Sequence, residues 1–133
     1  MPPRRRTDPD TGRAAVLAWH AARAVGGAPD RATTATAVRW TLELLAERAP
    51  GTSVEVRVPP FGVVQCVPGP RHTRGTPPNV VETDAATWLA LATGRERWTA
   101  CVDGGRVAAS GGRADLSPWL PLVPGEALAT VEP

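Results

Sequence analysis

Lysine and tyrosine are both missing from the 133 residues, and all fifteen basic side chains are arginine. The chain therefore supplies no lysine Schiff base, no lysine general base and no tyrosine proton donor. Cysteine is scarce: Cys66 and Cys101 are isolated thiols without CxxC spacing. Buried free thiols are their expected state, and the sequence leaves a disulfide between them open. The two histidines and the unclustered carboxylates predict no metal centre. Neither GxGxxG nor GxxxxGK occurs, so no cofactor is expected. A net charge of +2 is too small for a nucleic-acid footprint, and no nucleic-acid partner is predicted. There is no cleavable apolar leader and no apolar run of about 18 residues, which predicts a cytoplasmic protein.

What is present centres on Val80 to Gly94, VVETDAATWLALATG. Val80 to Thr83 has the β-branched composition of a short strand, Asp84 suits an N-cap, and Gly94 suits the left-handed position after a helix. On that helix Ala85, Trp88, Leu89 and Ala92 recur at helical spacing, so one large apolar face must lie against something, most simply a sheet.

Taken in order, residues 1–7 carry the run Arg4 to Arg6 and predict a disordered, solvated basic tail, with contact to acidic lipid, as at a membrane surface, or to nucleic acid as the functional alternative. Asp8 and Pro9 open an Ala-rich helix to about Val25, stopped by Gly26 and Gly27. Pro29 and Asp30 restart a second helix with Val38, Leu42, Leu45 and Ala49 on one face and Arg39, Glu43 and Glu47 on the other. Trp40 and Leu44 widen its apolar side, which predicts burial against both a sheet and the first helix. Ser53 to Val58 alternates as a strand with one wet face. Phe61 to Val67 is apolar on both sides and reads as a more central strand, paired antiparallel with the first across Pro59 and Pro60. Arg95 to Val102 predicts a short helical turn, Arg106 to Ser110 a last strand, and Leu116 to Leu120 a helix of one to two turns. Residues from Pro121 onward read as irregular.

Polar chemistry concentrates in Pro68 to Pro78, PGPRHTRGTPP, a segment with room for one short extended piece. Arg71 and Arg74 have the fork geometry for a carboxylate or phosphate, as the polar end of a ligand site or toward an acidic partner. Pairing with Glu82, Asp84 or Asp103 is the structural alternative. Cys66 and His72 stand six residues apart, but no orienting third group is evident and no catalytic residue is assigned. Five Trp and one Phe supply wall material that serves equally as core.

The element order and the words NVVETDAATWLALATG and GRVAASGGRADLSPWLPL resemble the sterol carrier protein family, more narrowly its small bacterial members, over about Arg31 to Leu122. The best marks are Asp84 opening the helix, Leu89, Leu91, Ala92, Thr93 and Gly94 closing it, and Gly105 to Gly111 before the final helix. The resemblance implies an α/β (α+β) fold: a five-stranded mixed sheet with helices packed on one face, and a tunnel between them holding a lipid or acyl chain. It further implies a sterol-carrier-like domain over residues 28–122, an appended N-terminal helix over 8–27 and an irregular tail over 123–133. On this reading the chain is a non-enzymatic carrier of a hydrophobic small molecule. Phe61, Val63, Trp88, Leu91, Leu116, Trp119 and Leu120 line the ligand site, and Arg71 and Arg74 meet the ligand's polar head. The same fold also accompanies thiol-dependent isomerases as an accessory domain, so a module that binds a protein partner is the alternative. The terminal helix is short for the family, which leaves tunnel length and ligand size open.

Leu89 is expected inside the core whichever function holds. Leu89→Ala should cost about 2 to 5 kcal/mol through lost transfer energy and a residual cavity. Chemical denaturation measures this, and an unchanged midpoint would mean that the helix presents a different face.

Overall fold

The computed structural model describes residues 6–27, 29–69 and 79–124. Its three longest helices each open on an Asp-x-x-Thr segment: α1 (Pro9–Ala24), α2 (Arg31–Arg48) and α3 (Ala85–Ala92). Asp8, Asp30 and Asp84 accept from the backbone N–H of Thr11, Thr33 and Thr87 at 3.0, 2.8 and 2.8 Å. Each carboxylate satisfies an orphan donor of the first turn and sits at the positive end of the helix. Gly94, at φ +81°, follows α3 in the left-handed conformation. A shorter helix, α4 (Trp98–Asp103), and a single 3₁₀ turn at Ser117–Trp119 complete the helical elements.

The strands are β1 (Val54–Val58), β2 (Gly62–Cys66), β3 (Val80–Thr83) and β4 (Val107–Ser110). They form a mixed sheet in the order β2-β1-β3-β4, with β1 antiparallel to β2 and parallel to β3, and β3 antiparallel to β4. Among the described residues the sheet therefore has four strands, not the expected five. The further extended piece was expected within 68–78, of which 70–78 lie outside the described residues. β2 itself ends at Cys66 because Val67 takes a left-handed φ of +71° and Pro68 has no N–H to donate.

The placement of β2 corrects a second expectation. Its apolar residues on both sides suggested a more central strand, yet among the described residues it is an edge, and the plainly alternating β1 lies inside the sheet. The reason is that the described residues cover only one sheet face. Val54, Val56, Val58, Cys66 and Val81 are buried beneath the helices, whereas Val63, Gln65 and Glu82 on the opposite face meet solvent. An interior strand of such a sheet still shows alternation. Val63, half exposed, is an apolar residue on the open face rather than a sign of burial.

α2 is buried on two fronts, as its wide apolar face predicts, packing on α1 and also on β2 and α3. α1 approaches closely because Gly12 has no side chain: a Cβ there would stand 2.2 Å from the Trp40 ring. Through this approach α1 brings Val16 and Trp19 into the common core, so it is integral rather than appended. Arg6 and Thr7, expected in a tail, are held on α2 by Glu47 and Glu43, respectively.

α3 docks on α2 through one polar contact inside this apolar core. Trp88 is fully buried, and its indole Nε1–H donates to the Thr41 hydroxyl oxygen at 2.8 Å. The Thr41 hydroxyl in turn donates back to the Ala37 carbonyl at 2.8 Å. Thr41→Val keeps the shape but strands the indole N–H, which should cost about 1 to 3 kcal/mol. In a double-mutant cycle with Trp88→Phe the losses should fall short of additive. Additive losses in chemical denaturation would show that the contact carries no coupling.

Candidate functional site

The residues after α3 build a groove. Thr93 closes the helix by donating its hydroxyl to the Leu89 carbonyl at 2.7 Å, and Gly94 turns the chain toward α4. A strap from Leu120 to Val123 then crosses the end of α3. The N–H groups of Leu122 and Val123 both donate to the Ala92 carbonyl at 2.9 Å. Arg48, at the end of α2, donates to the Pro121 carbonyl at 3.1 Å from the other side. Leu122 and Val123 are buried as a result. Between strap, α3 and α4 lies an open groove of about 390 Å³, lined by Leu91, Trp98, Leu120 and Pro121, with Glu96 and Arg97 adding charge to its wall. Thr99 and Ser117 also line it, so polar and apolar groups contribute about equally, and the volume lies at the small end of the range usual for small-molecule sites.

Of the residues expected to bind ligand, Leu120 lines this groove and Leu91 borders it while itself almost fully buried in the core. The others are elsewhere. Trp88 and Leu116 are fully buried in the core, Trp88 with its indole N–H engaged by Thr41. Trp119 is partly buried against that core. Phe61 follows the β1–β2 turn with the Arg31 guanidinium 5.2 Å from its ring centroid, and Val63 lines a shallow depression on β2 with Val64, Gln65, Ala46 and Glu55. Arg71 and Arg74, with His72, lie outside the described residues. Sequence reading missed Trp98 and Pro121 as groove walls. The cluster Gly94 to Trp98, a helix stop followed by Arg-Glu-Arg-Trp, was the available signal.

Both thiols are free and buried. Burial pushes the Cys66 thiol up to about 11, and burial also raises Cys101, aided by Glu96 and Asp84 and opposed by Arg106. At neutral pH both are protonated, which makes them poor nucleophiles. Among the described residues no three His, Cys, Asp or Glu side chains are grouped so as to hold a metal ion, and no helix is long and apolar enough to cross a membrane.

A family model described as bacterial SCP ortholog matches residues 30–122. The chain belongs to this family. No curated protein matches it. The matched stretch begins at Asp30, the cap of α2, and ends at Leu122 in the strap, so it contains the whole sheet and every wall of the Leu91 groove. Helix α1 falls outside it, together with His20 and Arg23.

His20, on α1, feels the charge of Arg95 in the loop after α3. Its Nδ1 is buried without a hydrogen-bond partner. Burial holds its pKa below the ordinary 6.5, and the positive charge of Arg95 lowers it further. The folded state thus binds this proton less readily than the unfolded chain does. The stabilisation is complete above about pH 6.5 and is lost as pH falls through the depressed folded value. Arg95→Gln should raise the midpoint of the His20 imidazole C–H resonance in an NMR pH titration, yet leave it below 6.5 because burial persists. An unmoved midpoint would show that the Arg95 charge is not felt at the imidazole.

Proposed function

We propose that the protein is a cytoplasmic carrier that binds a hydrophobic molecule, a lipid or acyl chain, without transforming it. Membership of the bacterial SCP family is the observation that carries this reading. The groove lined by Leu91, Trp98, Leu120 and Pro121 is the apolar surface best suited to such a ligand. Burying an alkyl chain there gains about 0.8 kcal/mol per CH₂ before the costs of ordering and immobilisation. Binding without turnover agrees with a chain that lacks Lys and Tyr and keeps both thiols protonated. A chain rather than a sterol ring system is the preferred occupant, since an open groove of this size accepts a flexible ligand more readily than a rigid plate.

An accessory module that docks a protein is favoured by a different feature, the edge strand β2. Val63 is half exposed there, and β2 has no strand partner on its outer side among the described residues. Native mass spectrometry of the purified protein, followed by titration with fatty acids, acyl thioesters and sterols under tryptophan fluorescence, separates the two readings. A retained or saturable lipid is expected, with Leu120→Asp weakening binding about tenfold or more by placing a charge in the groove. No lipid binding, with a specific protein co-purifying, would move the assignment to the docking module.

A further inference from the structure

A second cleft, of about 400 Å³, adjoins α3 beside the Leu91 groove. Its floor is made of small side chains of α3, Ala86, Thr87 and Ala90, and its walls carry Arg23, Arg95 and Arg106 with Glu96. The three arginines come from separate elements: the last turn of α1, the loop after α3 and the turn before β4. Arg106 is neutralised by Glu96 at 2.9 Å. The nearby Asp84 carboxylate is engaged by the Thr87 N–H and hydroxyl. Arg23 stacks its guanidinium 5.9 Å from the Trp19 ring centroid. Neither Arg23 nor Arg95 forms an ion pair among the described residues.

Three exposed guanidinium groups share this open cleft with one lining carboxylate, so their local charge is in excess although water screens it. Arg95 already acts at a distance, since its charge opposes protonation of His20. An anion between the guanidinium forks would offset this excess. A phosphate monoester fits better than a carboxylate because its charge approaches two and its three terminal oxygens can serve more than one fork at once. The cleft is larger than a phosphate group, and Ala86 and Ala90 offer an apolar floor for the organic part of the ligand.

We infer that the Arg23–Arg95–Arg106 cleft is a binding site for a phosphate monoester. The inference stands apart from the carrier reading, because it uses a separate cleft and one arginine from outside the family match. The phosphate could belong to a small soluble metabolite or to the head of an amphiphile such as phosphatidic acid. Arginine side-chain N–H resonances of the labelled protein, followed by NMR during titration with inorganic phosphate and separately with dioctanoyl phosphatidic acid below its micelle concentration, test it. Saturable shifts of the Arg23 and Arg95 signals are expected. Saturation by both probes assigns a soluble source, and saturation by phosphatidic acid alone assigns an amphiphile; either outcome supports the site. Arg23→Gln/Arg95→Gln should weaken binding about tenfold or more, and Arg95→Gln alone should weaken it measurably while sparing the Arg23–Trp19 contact. Arg39→Gln/Arg113→Gln, which removes the same charge from exposed positions outside the cleft, should leave affinity unchanged. Equal weakening by the two double variants would reduce the effect to net charge and overturn the site. So would the lack of a saturable shift with either probe.

Discussion

The fold depends on where α3 sits, and α3 is held by the burial of Trp88. The indole is the largest fully buried side chain, and its single polar atom must find a partner once water is excluded. Thr41 on α2 provides it, with a hydroxyl that is itself anchored to the Ala37 carbonyl. A purely apolar contact would allow α3 to slide or rotate on α2 at little cost. The directional bond inside the core fixes both, and with them the strand β3 that runs straight into the helix and the loop that leaves it.

Both candidate sites follow from that placement. One flank of α3 faces the strap Leu120–Val123, which the Ala92 carbonyl and Arg48 hold across the helix end, and the groove lies between them. The other flank faces the last turn of α1, which reaches it because Gly12 lets α1 settle against Trp40. The groove and the cationic cleft thus adjoin one eight-residue helix. Glu96, in the loop that leaves α3, lines both spaces. It is paired with Arg106 on the cationic side, so its charge is already committed where the two sites come closest.

The helices were the most legible part of the chain. Asp8, Asp30 and Asp84 are caps, Gly94 is left-handed, and the buried stripe Val38, Leu42 and Leu45 of α2 is the predicted one. The strand β1 and its antiparallel pairing with β2 were equally plain. The site was less so. Leu91 and Leu120 share a groove, but Phe61, Val63, Trp88, Leu116 and Trp119 are dispersed. An apolar residue at core spacing and one at a ligand wall look the same to periodicity, and Trp88 is the case in point: its role is set by a hydroxyl 47 positions away.

The sequence by itself determined where the three capped helices open, where β1 and β3 lie, the apolar face of α2, and membership of a family whose match begins at the cap of α2. Those features depend on residues within a few positions of one another: a carboxylate and an N–H three residues on, or a period of two or 3.6. Only the tertiary structure decided that β2 is an edge and one sheet face open among the described residues, that Trp88 finds Thr41, and that Arg23, Arg95 and Arg106 line one cleft. The reason is that strand order and cleft lining are through-space relations between distant positions, as between Arg48 and Pro121, 73 residues apart. Local pattern is nearly blind to such pairs, because many chain paths satisfy the same caps and alternations and packing selects among them.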